Sequence, residues 1–295
     1  MIEFKEVTLQ DREWMNQCFK EADLKGCEYC FAGCFIWRNA YNTKVAFVDG
    51  FCCMISGKES APIYTFPAGK GDLKAVIQTL WEDAKSRNVT FTIRALTEEQ
   101  VKFINETFDD AFEITTNRGE SDYIYTVEKL SNLSGKKLHG KRNHIARFKD
   151  NPNWSYEPIT SENIEDCLIM NEKWRQKYNS GEEDGLDKEL RAVKEAFEHF
   201  SELKLQGGLI RREGEVVAYS IGEPLSSDTF VVHIEKAFAD IQGAYPIMNQ
   251  QFVLNNCQDF TYVNREEDMG DEGLRKAKLS YYPDILLDKF TARAK

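Results

Sequence analysis

The densest group of ionisable side chains lies close to the C-terminus of the chain. Four carboxylates are followed by three cationic side chains: Glu266, Glu267, Asp268, Asp271, Arg275, Lys276 and Lys278. Asn264 and Arg265 precede them, directly after the apolar run Phe260–Val263, which has the pattern of a buried strand. Open α/β sheets bind ligands at the carboxyl ends of their strands. We therefore predict that substrate is bound by Asn264, Arg265, Glu266, Asp268, Arg275 and Lys278.

A purely structural interpretation of the same segment stays open. Acids at the start of a helix and bases near its end suit the helix dipole, and a helix is predicted over Glu272–Leu279. That interpretation explains the order of the charges. It does not explain the pair Asn264 and Arg265, nor the Tyr-Tyr-Pro sequence that begins at Tyr281. The residues alone therefore leave both interpretations open.

Two side chains are candidates for proton transfer. Glu235 ends the predicted strand Thr229–Glu235, where a carboxylate is placed to act as a general base or to hold a substrate. The alternative for this residue is an exposed carboxylate at a strand end. Tyr281 is the second candidate, because a phenol can also handle a proton. We predict Glu235 and Tyr281 as the catalytic residues.

A strongly basic helix is predicted near the middle of the chain. The six cationic side chains of this segment are Lys136, Lys137, Lys141, Arg142, Arg147 and Lys149. Such a helix suits the phosphate of a nucleotide, of CoA, of a tRNA end or of a lipid headgroup. The alternative is a solvated helix face that balances an otherwise acidic protein.

Three cysteines have a spacing that can hold a metal. Cys27 and Cys30 form a CxxC pair, and Cys34 adds a third thiol, as zinc or iron–sulfur sites require. However, Cys30 and Cys34 fall at helical spacing in an apolar run, and no second CxxC or histidine pair follows. We therefore expect a buried helix face and predict no metal site. His233 lies inside a strand pattern and is predicted to be a core residue rather than a catalyst.

Length and composition limit the class of protein. The chain has 295 residues, of which 42% are hydrophobic, enough for two domains with a core each. The net charge of −11 argues against binding nucleic acid through the overall field of the protein, but not against a local basic patch. No apolar run approaches the roughly 18–20 residues that span a bilayer, and the N-terminus lacks the pattern of a signal peptide. We expect a cytoplasmic protein whose eight cysteines are reduced.

One order of elements occurs twice along the chain, which indicates an internal repeat. Each copy begins with a strand and a helix and continues with a hairpin, with turns predicted at Asp49-Gly50 and Glu213-Gly214. A strand, a helix, a second strand and a second helix complete each copy. This order predicts mixed sheets with helices on their faces, in domains over residues 1–130 and 131–295 that pack against each other.

Three segments of the sequence resemble a known family. They are Phe31–Tyr41 with its Trp-Arg pair, His139–Phe148 with its Lys-Arg-Asn sequence, and Tyr262–Pro283. All three are similar to segments of the phosphatidylglycerol lysyltransferase C-terminal domain family. The order of elements resembles the GNAT acyltransferase fold, which occurs in tandem in that family and in the Fem-type aminoacyltransferases. The resemblance implies an α/β fold of two tandem GNAT-like domains, with the active cleft in the second.

The resemblance also implies a reaction, the transfer of an acyl or aminoacyl group to an amine or hydroxyl. Lys141 and Arg142 stand at the family's positions in the basic helix, so we predict that they bind substrate. Acyl-CoA and aminoacyl-tRNA are the candidate donors, and no tightly bound cofactor is expected. GNAT enzymes hold the pyrophosphate of CoA on a glycine-rich turn at a helix N-terminus. Gly243 and Ala244 occupy that place and are the candidates for this contact, but their spacing and Pro246 depart from the pattern, which disfavours acyl-CoA.

A second functional class fits the same sequence. A non-catalytic module that keeps the tandem fold and binds a ligand in its cleft would also lack a CoA loop and an obvious base. Relatives that modify lipids usually carry a membrane-spanning region, and none is predicted here, which weighs against a lipid acceptor. The expected partners are a small-molecule acceptor and, as donor, an aminoacyl-tRNA; the oligomeric state is not predicted.

Overall fold

A computed structural model describes residues 1–178 and 183–295 of the chain; the side chains of residues 183–187 are not described. It contains two seven-stranded mixed sheets. Among the described residues, no helix has the length and apolar character needed to cross a bilayer.

The first sheet is built mainly from the N-terminal part of the chain. Its first six strands in sequence, β1 to β6, are Lys5–Glu6, Lys44–Val48, Phe51–Lys58, Ala61–Gly69, Thr92–Leu96 and Phe112–Thr116. Four helices, α1 to α4, accompany them: Arg12–Ala22, Phe31–Tyr41, Leu73–Ser86 and Glu98–Thr107. The strand order is β1-β2-β3-β4-β5-β14-β6, in which β14 is Phe290–Ala294 at the C-terminus of the chain.

The second sheet has the order β13-β7-β12-β11-β10-β9-β8. Strands β7 to β13 are Asp122–Thr126, Trp154–Pro158, Gln206–Arg212, Glu215–Pro224, Thr229–Ala237, Tyr262–Asn264 and Ile285–Leu287. Helices α5 to α10 are Val127–Asn132, His139–Lys149, Ile164–Tyr178, Glu183–Glu198, Ala244–Asn256 and Glu272–Leu279. The sequence-based bounds of α10 agree with the structure at both ends.

Both predicted hairpins are confirmed. Asp49 and Gly50 join β2 to β3 with φ angles of 48° and 89°, and Glu213 and Gly214 join β9 to β10 with φ angles of 53° and 80°. Two successive residues with positive φ form the tight turn that matches the twist of antiparallel strands, which is why glycine is favoured at the second position. Strand β1 has only two residues, Lys5 and Glu6, which pair with β2.

The last strand of the chain lies inside the first sheet. Strand β14 pairs antiparallel with both β5 and β6, although nearly 200 residues separate β14 from β5 in sequence. Strand β7 pairs with β12 and β13 in the second sheet. The chain therefore starts in the first sheet, completes the second, and returns to the first. The predicted domain boundary at residue 130 stays a prediction.

The two halves share an apolar core. One buried cluster contains Phe31 and Phe35 of α2 together with Phe197 of α8 and Tyr219 of β10. Separate clusters lie on the far faces of the two sheets, beneath α3 and α4 in the first and beneath α5, α6 and α9 in the second. The expectation that the two halves pack against each other is confirmed.

Each sheet contains one parallel pair that is joined over only a few residues. Strands β4 and β5 are in register only at Tyr64–Ile93 and Thr65–Arg94, and β11 and β12 only at three positions that end with Val231–Asn264. Beyond these positions β4, β5 and β11 continue, so the pairs open towards their carboxyl ends. Both openings are the kind of place where ligands bind in open sheets.

Candidate functional site

Glu235 and Arg265 meet at the opening between β11 and β12. Glu235 lies on β11 and accepts a hydrogen bond of 2.8 Å from Arg265, which follows β12 directly. Only 12% of each side chain is exposed. Asn249 of α9 donates to the other oxygen of Glu235 at 3.3 Å. The strand-end carboxylate is therefore enclosed and paired rather than exposed.

Aromatic rings and a lysine complete this group. The guanidinium of Arg265 lies 5.0 Å from the ring centre of Tyr281, and the ammonium of Lys141 lies 3.9 Å from the same centre. Burial, together with the nearby charge of Arg265, lowers the pKa of Lys141 from 10.5 to about 8. Burial also raises the pKa of the Tyr281 phenol far above its usual value, so this phenol stays protonated at neutral pH.

We call these residues the Glu235 cluster: Lys141, Glu235, Asn249, Arg265 and Tyr281. Within the described chain, Nη1 of Arg265 and Oδ1 of Asn249 are buried and have no hydrogen-bond partner. Buried polar atoms are paired in most proteins, so unpaired ones mark capacity for a bound polar group. The predicted catalytic residues Glu235 and Tyr281 are thus brought together with two of the predicted binding residues.

Asp268 and Arg275 are bound to each other. Nε and Nη2 of Arg275 donate to the two carboxylate oxygens at 2.8 and 2.9 Å, and the hydroxyl of Tyr123 donates at 2.6 Å. The backbone N–H of Gly270 adds a fourth bond of 2.9 Å. Hydrogen bonds from Arg275 hold the pKa of Asp268 well below its usual range. The carboxylate is fully buried, so this pair fixes the fold of the segment before α10.

Three other predicted binding residues point towards the backbone. The ammonium of Lys278 donates to the carbonyls of residues 265, 266 and 267, and so clamps the loop that carries the predicted site. Asn264 is fully buried and donates to the carbonyl of Lys25 and to Asp122, both at 2.8 Å. Arg142 donates to the carbonyls of residues 133 and 135. Their role in binding substrate stays a prediction.

The N-terminus of α9 lies against α6. Gly243 has φ of 87°, and a Cβ atom added to it would lie 2.2 Å from the carbonyl oxygen of His144. Ala244 is fully buried. The helix that carries Lys141 therefore covers the place where a pyrophosphate would meet the backbone N–H groups of this turn.

A cavity of about 370 Å³ lies between the two halves, on the other side of the same loop. We call it the central cavity. Its polar lining comes from both halves: Cys27, Glu28, Tyr41, Arg94, Glu120, Glu266, Glu267 and Lys289. Trp37 and Met54 contribute apolar surface. Of these residues only Glu266 belongs to the predicted site.

Lys289 is the buried cation of the central cavity. Its ammonium lies 2.7 Å from both Glu28 and Asp122, and 3.3 Å from the sulfur of Cys27. Burial by itself disfavours the charge, but Asp122, Cys27, Glu28 and Glu267 together outweigh it and raise the pKa of Lys289 well above 10.5. In the described part of the chain, Oε2 of Glu28 has no hydrogen-bond partner.

His233 adjoins this cavity from the second sheet. The side chain is buried, with Nδ1 2.8 Å from Glu266 and Nε2 3.1 Å from Glu223. Burial alone would lower the pKa of His233, but Cys30 and the two glutamates raise it well above 6.5. The residue is in the core, as predicted, although its partners are charged.

Sequence reasoning missed most of the central cavity. Arg94 and Lys289 are single charges in or beside otherwise apolar strand patterns, and Glu28 gave no signal of its own. Cys27 was noticed only as part of a metal-like spacing. Cys34 lies within α2 and is half-buried, Cys30 is the N-cap residue of that helix, and Cys27 precedes it, so only Cys34 lies on the predicted helix face.

Known proteins resemble the chain over its whole length. A conserved protein of unknown function from Bacteroides thetaiotaomicron is 38% identical, with 100% of both chains covered and a TM-score of 0.96. L-PGS from Bacillus licheniformis is 16% identical; the match covers 99% of this chain and 93% of that one, with a TM-score of 0.69. FemX is 9% identical; the match covers 98% of this chain and 97% of that one, with a TM-score of 0.63. The last two show a likeness of fold alone.

A curated relative matches only part of the chain. An uncharacterized protein of Mycoplasmoides gallisepticum is 27% identical over 191 residues, which are 60% of this chain and 57% of that protein. The match thus spans little more than half of the relative's length.

The predicted fold class is confirmed by these likenesses and by that to a tandem GNAT protein: the chain is a mixed α/β protein with a tandem GNAT-like fold. The family model described as phosphatidylglycerol lysyltransferase, C-terminal, matches residues 19–293. The predicted family is thereby confirmed, and the chain belongs to the phosphatidylglycerol lysyltransferase C-terminal family.

Proposed function

We propose that the protein is an aminoacyltransferase whose central cavity holds the aminoacyl group. Membership of the family supports this class of reaction. The observation that carries the proposal is a cavity of about 370 Å³ between the halves with both carboxylates and cations on its wall. An aminoacyl ester presents an ammonium group next to a carbonyl, and such a ligand needs groups of both signs within a few ångströms.

The acidic side chains of the cavity suit the ammonium group. Glu28, Glu266 and Glu267 line the cavity, and Trp37 and Tyr41 add aromatic faces. Carboxylates give charge-assisted hydrogen bonds to an ammonium, and aromatic faces attract it further. Lys289 and Arg94 are the cations available to polarise the ester carbonyl, in the manner of an oxyanion site.

The chemical step is the attack of an acceptor amine or hydroxyl on the ester carbonyl. A bond forms between the acceptor and the carbonyl carbon, the ester C–O bond breaks, and the carrier oxygen leaves with a proton. Glu235 and Tyr281 stay the predicted proton-transfer residues, although they lie across the loop from the central cavity and do not line it. Glu235 accepts a hydrogen bond of 2.8 Å from Arg265, and the raised pKa keeps the Tyr281 phenol protonated, which suits a proton donor.

The proposed donor is an aminoacyl-tRNA rather than acyl-CoA. The turn at Gly243 is packed against α6, which leaves no room there for pyrophosphate. By contrast, Lys129, Lys136 and Lys137 line an open groove of about 580 Å³ beside α5 and α6. Phosphates of a nucleic acid bind to such clusters of lysines even on a protein with a net negative charge. The acceptor is proposed to be a small molecule with an amine or hydroxyl.

Transfer of a labelled amino acid tests this proposal. The purified protein would be incubated with tRNA charged with each radiolabelled amino acid in turn, and with acceptors of three kinds: polyamines, amino sugars and phosphatidylglycerol vesicles. We expect loss of label from tRNA and its appearance on one acceptor class. Glu267→Gln should reduce transfer by about tenfold or more, since one charge-assisted bond to the ammonium is lost. Glu106→Gln, on the exposed face of α4, should not.

Two outcomes would contradict the proposal. If charged tRNA binds but no label moves with any acceptor, the binding-module alternative replaces the enzyme. If Glu267→Gln transfers label as fast as the wild-type protein while both are folded, the aminoacyl group does not occupy the central cavity.

A further inference from the structure

A sulfur, an oxygen and a nitrogen from three elements converge beside the central cavity. Cys30 is the N-cap residue of α2, Glu223 lies on β10 and His233 on β11. Their donor atoms all lie within 4.8 Å of one another, and each of the three residues is more than nine-tenths buried. Cys30 belongs to the first half of the molecule, and the other two residues belong to the second.

Two of the three distances between these atoms are close to the edges of a zinc coordination tetrahedron, and the third is within 4.8 Å. Nε2 of His233 lies 3.1 Å from Oε1 of Glu223 and 3.9 Å from the sulfur of Cys30. Tetrahedral zinc with ordinary bond lengths gives edges of about 3.4 Å for nitrogen to oxygen and about 3.6 Å for nitrogen to sulfur. Each of these two distances therefore needs to change by only about 0.3 Å.

The imidazole is already held in the orientation that a metal ligand needs. Nδ1 of His233 lies 2.8 Å from a carboxylate oxygen of Glu266. Histidines that bind zinc through one nitrogen usually donate the other N–H to a carboxylate, which fixes the ring and its tautomer. With the proton on Nδ1, the lone pair of Nε2 faces Glu223 and Cys30.

A second group of possible metal ligands lies nearby, but a lysine ammonium already occupies its centre. Cys27, Asp122 and Glu267 also lie within 4.8 Å of one another. The ammonium of Lys289 is 2.7 Å from Asp122 and 3.3 Å from Cys27, and so occupies the place of a cation. Among the described residues, Cys30, Glu223 and His233 have no lysine or arginine partner, so a metal ion bound there would displace only protons.

We propose that Cys30, Glu223 and His233 bind one zinc ion that ties the two halves of the molecule together. The fourth coordination position would be left to water or to a small ligand, as in sites with three protein ligands. Gly33 lines the central cavity and donates its N–H to Glu223 at 3.2 Å, so the site lies directly behind the cavity wall. This site differs from the set Cys27, Cys30 and Cys34 suggested by sequence spacing, and it replaces the expectation that no metal is bound.

Metal analysis of the whole protein tests the site. The protein would be purified without chelators, reduced, and loaded with excess zinc or cobalt before desalting. We expect about one zinc per chain, and a thiolate-to-cobalt charge-transfer band in the near ultraviolet with cobalt. Cys30→Ser and His233→Gln should lose the band and at least about tenfold in zinc affinity. Cys34→Ser, one turn further along the same helix, should retain both.

Three results would overturn the site. The first is wild-type protein that holds no zinc after loading. The second is a cobalt spectrum without a thiolate band, and the third is equal loss of metal in Cys34→Ser and Cys30→Ser. If the Cys30 and His233 variants fail to fold, the wild-type protein decides: zinc must raise its melting temperature, chelation must lower it again, and an unchanged melting temperature refutes the proposal. None of these readouts depends on aminoacyl transfer.

Discussion

Replacing Lys141 by methionine should change how stability depends on pH. The Lys141 ammonium is partly buried on the ring of Tyr281 and close to Arg265. Burial lowers its pKa from 10.5 to about 8, so the folded protein holds this charge at a cost. Methionine keeps the length of the apolar stem and removes the charge.

The size and sign of the effect follow from that pKa. A fall in pKa from 10.5 to about 8 means that the charged Lys141 destabilises the folded protein by at most about 3.4 kcal/mol. Because water still reaches the ammonium, we expect a destabilisation of about 1–2 kcal/mol. Below pH 8 both folded and unfolded chains carry the proton, and the full cost is present. Between pH 8 and 10.5 the unfolded chain binds more protons than the folded one, so the wild-type protein gains stability relative to the variant.

Urea unfolding followed by far-ultraviolet circular dichroism measures this difference. We expect Lys141→Met to have a free energy of unfolding about 1–2 kcal/mol higher than the wild-type protein at pH 7. A change in packing at this position would add a constant to that difference at every pH. The difference should shrink as the pH approaches 10.5. Lys149→Met, on an exposed part of the same helix, serves as the control. A difference that stays constant from pH 7 to 10.5, or an equal trend in the control, would refute the reasoning.

Three further substitutions test the packing around the site. Lys289→Met leaves buried carboxylates without their cation, so urea titration should show a loss of about 3–5 kcal/mol. Asp268→Asn should cost about 2–3 kcal/mol at pH 7. Because the pKa of Asp268 is lowered in the folded protein, thermal unfolding should show this difference shrinking as the pH falls below about 4. Gly243→Ala should lower the melting temperature more than Gly214→Ala, since both have positive φ but only the first meets a backbone oxygen.

Local signals were sufficient for several elements of the fold. The Asp-Gly and Glu-Gly turns predicted both hairpins, because few other dipeptides adopt two successive positive φ angles at low cost. Helix α10 was predicted with its bounds, since Asp271 caps its N-terminus through a bond to the N–H of Leu274. These features depend on neighbouring residues only, which a sequence displays directly.

The exchange of strands between the halves could not be predicted in the same way. Strand β14 is a short segment of five residues that includes Thr291 and Arg293, and its place between β5 and β6 depends on pairing with strands that are distant in sequence. Strand propensity reports a fit to a pleated surface and does not identify the neighbour. Lys289 reaches the central cavity only because β14, which follows it, returns to the first sheet.

The partners of the charged residues in the predicted site could not be predicted from the sequence either. Asp268 and Arg275 looked like free binding groups in the sequence, but they bind each other with two hydrogen bonds. Lys278 holds the backbone of the loop instead of facing a cleft. A sequence does not distinguish a carboxylate that is bound to its own arginine from one that awaits a ligand. Arg265 and Glu266 are adjacent in the chain but face opposite sides of the loop. Arg265 belongs to the Glu235 cluster, and Glu266 lines the central cavity.

The two parallel pairs are used differently despite their common topology. Between β4 and β5 the opening leads to a groove of about 960 Å³, lined by Phe66 of β4 and by Thr97 directly after β5. Between β11 and β12 the corresponding space is filled by the Glu235 cluster and covered by α6. A CoA-like donor would have to displace α6 from Gly243 to enter the second opening. The proposed function therefore relies on the central cavity between the halves, whose lining comes from both halves rather than from the second alone.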